Sequence, residues 1–175
     1  FQLMVQSGMF IPAKENNTFC LFSQIYSEIG DNQSIENELS TYSYRLTRMK
    51  KFLALSNPET LLLLDEFGTG SDPDLGGALA ESFFESLYRK KIFAILTTHY
   101  SNIKSRAVQL PQAVNGCMLF NPINLQPLFR FEMGSPGSSF TFEVAKINGV
   151  SESLIEKAKK KLNKEKLRFN ELLSD

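Results

Sequence analysis

The sequence predicts an α/β fold: a mostly parallel sheet flanked by helices, with a β-rich excursion and a C-terminal helical appendage. Three observations lead there. Thr60–Leu64 and Ile92–Leu96 are short, almost wholly apolar runs, the pattern of strands covered on both faces in a parallel sheet. Between them, Asp74 to Lys90 places Leu75, Leu79, Phe83, Phe84 and Leu87 on one helical face. The chain of 175 residues, 42% hydrophobic and 22% charged, is long enough to bury a core and has the composition of a folded domain. Strand, helix and strand in sequence form one βαβ unit, for which a right-handed crossover is expected.

Taken in order, residues 1–8 read as a helix end closed by Gly8, since glycine is favoured just past a helix C-terminus. Met9–Ala13 is expected to be a short strand. From Cys20 to Ile29 the apolar positions fall at helical or mixed spacing, and Gly30-Asp31-Asn32 ends that segment in a turn. After a loop, Ser40 or Thr41 can cap a helix that turns Tyr44, Leu46, Phe52, Leu53 and Leu55 inward and stops at Asn57-Pro58. Beyond the βαβ unit, residues 108–132 suggest β structure, with Val114–Phe120 and Leu128–Met133 as strands. A loop spans 134–139, a short helix 140–147, and an amphipathic helix Glu152 to Leu173.

Lys+Arg and Asp+Glu balance at 19 each, but residues 1–75 carry a net −5, residues 76–150 a net +3 and residues 151–175 a net +2. No basic nucleic-acid-binding domain is therefore visible within the chain. Cys20 and Cys117 are the only cysteines, which excludes a disulfide scaffold and a four-cysteine zinc site. No apolar run approaches the ~20 residues of a membrane span, and FQLMVQSGMF lacks a basic region ahead of an apolar stretch. A reducing, cytoplasmic setting without a membrane is the expectation. The apolar opening without Met or cap reads as a cut from a longer protein.

The sharpest chemical feature is Asp65-Glu66 directly after the apolar run Leu61–Leu64. Ligands of open α/β sheets bind at the carboxyl ends of the strands. A first carboxylate there can reach a nucleotide-bound Mg²⁺, and a second can orient or deprotonate an attacking water. The same pair also fits an exposed strand end making surface ion pairs. His99, the only histidine, follows the second strand in Thr97-Thr98-His99 and lies on the same sheet edge, where a neutral imidazole could sense a γ-phosphate or a water. Gly68, Thr69, Gly70, Ser71 and Asp72 form a loop beside the carboxylates, or simply a strand-to-helix turn capped by Asp72 or Asp74. Ser40 and Thr41 at a helix start could bind phosphate or merely cap. No GxxxxGK[ST] phosphate loop occurs anywhere in the chain.

The order Leu39-Ser40-Thr41-Tyr42, LLLLDEFGTGSDPDLGGALA, TTHYSNIK and GSPGSSFTFEVAKINGVSESLIEKAKK resembles the C-terminal ABC-type ATPase domain of the MutS family. The likeness runs from about Ser7 to Lys161, and QSGMFIPA resembles the stretch that follows the phosphate-loop helix in that family. Residues 31–39 and the GTGSDP wording are closer to the paralogous MutS-like branch than to the mismatch-repair branch. The resemblance implies that residues 1–150 are a partial P-loop ATPase domain beginning after the Walker A loop and that 151–175 form a helical dimerisation element. It implies ATP and Mg²⁺ as cofactors, Asp65 as the metal carboxylate, Glu66 as catalytic base and His99 as a switch residue. Gly68 to Asp72 would be the D-loop at a dimer seam, and Ser40 with Thr41 would complete the partner's ATP site in a homodimer. DNA would be met by parts outside this chain, in repair or a related transaction, and the 175 residues alone are expected to be inactive. Two other readings are a non-catalytic dimerisation fragment and an SMC-type ATPase, against which the absence of a Ser-Gly-Gly core after Leu39 counts.

Overall fold

The computed structural model describes residues 1–30, 38–70, 72–121, 124–135 and 141–172, with the backbone alone for 38–41 and 163–172. The chain folds into two compact units, Phe1–Ala113 and Val114–Asp175. The first contains α1 (Gln2–Gln6), β1 (Gln24–Glu28), α2 (Glu38–Leu55), β2 (Thr60–Leu64), α3 (Pro73–Arg89), β3 (Phe93–Leu96) and α4 (Ser101–Gln109). Its three strands form one parallel sheet in the order β1-β2-β3, with Ile25 opposite Leu61 and Leu62 opposite Ala94. The expected α/β class with helices flanking a parallel sheet is what the chain adopts.

β2 is the centre of this unit. Leu62 is fully buried, and it joins Met49 and Phe52 of α2, Ala80 and Leu87 of α3, and Ile103 of α4 in one core. β2 reads as a continuous apolar run because both of its faces are covered: Leu61, Leu62 and Leu64 are buried and Leu63 is half-buried. β3 reads the same way in sequence, yet Phe93 and Ile95, two apart on one face of the strand, are exposed, so that face is not covered as those of β2 are.

Several expectations are corrected. Met9–Ala13 forms no strand: Pro12 has no N–H to give to a ladder, and Phe10 is fully exposed. Gly8, at φ +72°, does close α1, with the N–H of Met9 donating to Met4 O and that of Gly8 to Val5 O in a Schellman pattern. The mixed pattern of 20–29 resolves as β1. Its approach is held extended by α1, where Gln6 exchanges two hydrogen bonds with the backbone of Phe22 and Gln2 donates to Cys20 O.

α2 begins at Glu38, so Ser40 and Thr41 lie in its first turn and are not its cap. On the same helix Tyr44 and Leu55 face solvent, while Met49 takes an inward position the sequence reading did not assign. α3 is capped by Asp72, which accepts from the N–H groups of Asp74 and Leu75 at 3.0 Å, with Pro73 following. Its buried face is Gly76, Gly77, Ala80 and Leu87, and the expected Leu75 and Leu79 are exposed. Small residues are needed there: a Cβ on Gly77 would stand 3.3 Å from the Tyr100 ring. α4, absent from the expected elements, docks on α3 through buried Ile103 and Ala107 and through Arg106, whose Nε donates to Glu85 at 2.6 Å.

The second unit contains an antiparallel ribbon of β4 (Gly116–Phe120) and β5 (Pro127–Met133), then α5 (Thr141–Ile147) and α6 (Glu152–Leu172). The two strands and two helices match the expected order. A bulge between Met118 and Phe120 breaks the ladder register. On the expected amphipathic helix α6, Ile155 is buried, whereas Ala158 and Leu162, three and seven positions on, are exposed; the side chains of Phe169 and Leu172 lie outside the described residues. No described helix is long and apolar enough to cross a membrane.

Candidate functional site

Asp65 and Glu66 leave β2 at the carboxyl edge of the parallel sheet, flanked by the ends of β1 and β3. The N–H of Asp65 donates to Glu28 O at 2.8 Å, and that of Phe67 to Thr97 O at 2.8 Å, so both neighbours hold the exit of the strand. Both carboxylate residues are exposed. Thr97 joins them: its hydroxyl donates to Asp65 Oδ1 at 2.6 Å and accepts from the Glu66 N–H at 2.8 Å. A single hydroxyl can do this because it carries one proton and two lone pairs.

Glu66 has a left-handed backbone, φ +48°, a conformation that costs a residue with a side chain about 1–2 kcal/mol. Both of its backbone polar groups are tied. Besides the N–H bond to Thr97, its carbonyl accepts from the Thr69 N–H at 3.2 Å, from the Thr69 hydroxyl at 2.9 Å and from Arg45 Nη1 at 3.5 Å. Arg45 Nη1 also donates to the Thr69 hydroxyl and, at 3.4 Å, to Thr69 O. The loop below is packed as well as hydrogen-bonded. Phe67 is buried, Thr98 donates to Phe67 O at 3.2 Å, and the Tyr100 hydroxyl donates to Gly68 O at 3.1 Å.

The expected site residues therefore separate into groups. Asp65, Glu66, Gly68, Thr69, Gly70 and Asp72 occupy one strand end and the loop that leads into α3. Ser71 lies outside the described residues, as do the side chains of Ser40 and Thr41. His99 is exposed just beyond β3, two positions from Thr97, and no hydrogen bond joins it to Asp65 or Glu66. Sequence reasoning assigned no role to Thr97 or Arg45. A threonine directly after an apolar strand parallel to the Asp-Glu strand was a signal for the first; nothing local marks Arg45, whose partners are 21 and 24 positions away.

Asp65, Glu66, Gly30 and Arg45 line a cleft. Among the described residues no three His, Cys, Asp or Glu side chains cluster, so the donor set cannot enclose a metal by itself. It fits a hexacoordinate Mg²⁺ that takes one or two carboxylates and completes its shell with phosphate oxygens and water.

Glu28, at the end of β1, is the one described group here with a displaced acidity. Burial lifts its carboxyl above the ordinary value, a rise opposed by Arg48 and then Arg45. Arg48 Nε stands 3.8 Å from Glu28 Oε2, close enough for charge attraction but too far for a hydrogen bond, and neither atom has a hydrogen-bond partner. A folded carboxyl with a raised pKa contributes stability below its unfolded pKa and loses it as the pH rises through its folded one. Glu28→Gln, neutral throughout, should therefore melt higher than the parent at neutral pH, with the gap closing as the pH falls below the carboxylate range. Melting temperatures across that range check it; a gap independent of pH would remove ionisation as the cause.

A family model described as MutS domain V matches residues 1–166. The chain is 38% identical over 174 residues to a protein of Clostridium acetobutylicum named Endonuclease MutS2, covering 99% of this chain and 22% of that protein. Proteins of the same name from Clostridium tetani and Halothermothrix orenii are each 40% identical, covering 98% and 100% of this chain and 22% of each relative. The chain thus spans about a fifth of the length of the curated relatives it matches.

Proposed function

The chain belongs to the MutS domain V family, and on that premise we propose that it carries the hydrolytic half of a Mg²⁺-dependent ATPase site in a longer MutS-like DNA repair protein. The observation that carries this reading is the Asp65–Glu66 pair fixed by Thr97 at the carboxyl edge of a parallel sheet. Two adjacent carboxylates are held there in an open cleft with unlike surroundings. Asp65 spends Oδ1 on the Thr97 hydroxyl and keeps Oδ2 for a cation. Glu66 is aimed through its constrained backbone, and its carboxylate serves as the acceptor of the attacking water's proton. A magnesium ion bound with ATP supplies neutralisation of phosphate charge. His99, further along the same edge, reports on the γ-phosphate.

The same reading gives the remaining parts their roles. Gly68 to Asp72 form the seam between two copies, and the first turn of α2, with Ser40 and Thr41, completes the partner's ATP site. Residues 151–175 assist dimerisation, and DNA is contacted by regions outside these 175 residues. The phosphate loop, which the chain does not contain, belongs to the longer protein, so the 175 residues alone are expected not to turn over ATP.

The test uses the full-length protein. Asp65→Asn should raise the Mg²⁺ concentration needed for half-maximal nucleotide-dependent turnover by about tenfold or more, the direction expected when a charged ligand becomes neutral. Added Mg²⁺ should restore part of the rate. Turnover independent of Mg²⁺, or an unchanged Mg²⁺ requirement in Asp65→Asn, would remove the metal from Asp65.

A further inference from the structure

Arg45 is placed where a surface arginine on a helix has no need to be. It sits in the second turn of α2, and its Nη1 reaches across to the carbonyls of Glu66 and Thr69 and to the Thr69 hydroxyl. Those acceptors belong to the two residues that set the left-handed turn at Glu66, since the Thr69 hydroxyl itself donates to Glu66 O at 2.9 Å. Three residues earlier on the same helix, Tyr42 lies near the loop, so that a Cβ added to Gly70 would stand 3.8 Å from its Cδ2. Helix α2 thus holds the 66–69 segment through charge-assisted hydrogen bonds from Arg45 Nη1, with Tyr42 standing beside Gly70.

We propose that Arg45 is a positioning residue that makes the placement of the Glu66 carboxylate depend on the position of helix α2. This rests on the ATPase reading above. If the first turn of α2 meets the partner's nucleotide, then a shift of that helix on engagement is passed by Arg45 to the backbone of Glu66 within the same chain. Hydrolysis at one site is thereby tied to engagement at the other. The guanidinium suits this because its planar donors hold several acceptors in fixed geometry, whereas an ammonium is a single flexible point.

The test is made in the full-length protein with Arg45→Met and Arg45→Lys, each alone and combined with Glu66→Gln. Four quantities are read: nucleotide affinity, ATP-dependent mass by light scattering, single-turnover hydrolysis, and rate per chain against dimer fraction. Arg45→Met should keep affinity within about twofold and form the ATP-dependent dimer, yet hydrolyse at least about tenfold more slowly, a loss within the range of general-base effects. Its rate per chain should no longer rise as the dimer forms. Arg45→Lys should recover part of that loss. Adding Arg45→Met to Glu66→Gln should slow hydrolysis no further, because two changes acting through one group are not additive.

Wild-type hydrolysis by Arg45→Met, or a loss of affinity and dimer in proportion to the loss of rate, overturns the proposal. Full turnover by Glu66→Gln alone would instead overturn the ATPase reading on which it rests. A crippled Glu66→Gln beside a normal Arg45→Met would leave that reading standing and remove only the role of Arg45.

Discussion

Replacing Glu66 with glutamine in the full-length protein should lower single-turnover ATP hydrolysis by about 100-fold or more while leaving nucleotide and Mg²⁺ binding largely intact. General-base catalysis contributes roughly 10²–10⁴-fold, and an amide of the same shape cannot accept the water's proton. The backbone of Glu66 is held by Thr97, Thr69 and Arg45 through its N–H and carbonyl, not through its carboxylate, so the substitution leaves those bonds in place. Asp65 keeps its bond from Thr97, and with it the cation-binding role proposed for it. With hydrolysis blocked, an ATP-bound dimer should accumulate, visible as a doubled mass by scattering or sedimentation. Ser40→Arg, added to it, should prevent that dimer without weakening ATP binding by the single subunit. Undiminished hydrolysis by Glu66→Gln would take the base role from Glu66, and a dimer unaffected by Ser40→Arg would take the first turn of α2 out of the partner's site.

How much of this was legible in the sequence depends on how local the cause was. Thr60–Leu64 was recognisable to the residue because a central parallel strand has no polar face to confuse the pattern. The Asp-Glu pair after it was visible for the same reason, as charge abutting a buried strand. α3 was found as a helix with Phe83, Phe84 and Leu87 on the face that packs into the core, but the first half of that face was misassigned. Reading large residues as buried picked Leu75 and Leu79, whereas the buried positions of that half are Gly76, Gly77 and Ala80, and a Cβ on Gly77 would stand 3.3 Å from the Tyr100 ring. α4 carried a readable signal in Ile103 and Ala107, four apart, but in a nine-residue segment with a polar majority. The bonds that shape the site were least legible. Thr97 and Arg45 act across 21 to 32 positions, and such contacts exist only once the sheet has ordered its strands.

Gly68 offers the largest stability effect, and its size can be separated into causes. Its φ of +88° is a region that side chains adopt at a cost of about 1–2 kcal/mol. A Cβ there would also stand 2.6 Å from Ala80 Cβ and 2.9 Å from Tyr100 Cε2. Neither neighbour is the free end of a flexible chain: Ala80 Cβ is fixed to a buried helix, and the Tyr100 ring is anchored by its hydroxyl on Gly68 O. Overpacking of this kind costs about 1–3 kcal/mol, so Gly68→Ala should destabilise the first unit by roughly 2–5 kcal/mol in urea unfolding. Gly8→Ala separates the two causes. It shares the positive φ, +72°, but nothing lies within 4 Å of its Cβ, so its loss should be only about 1–2 kcal/mol. The clash predicts a further result. Ala80→Gly alone should cost about 1 kcal/mol as a helical glycine, yet in the Gly68→Ala background it removes the closest contact and should recover part of the lost stability, the positive φ and the contact with the Tyr100 ring remaining. Equal losses for Gly68→Ala and Gly8→Ala, with no rescue by Ala80→Gly, would mean that the backbone conformation alone requires glycine there. The packing of Gly68 against α3 would then play no part in holding the loop that carries Glu66.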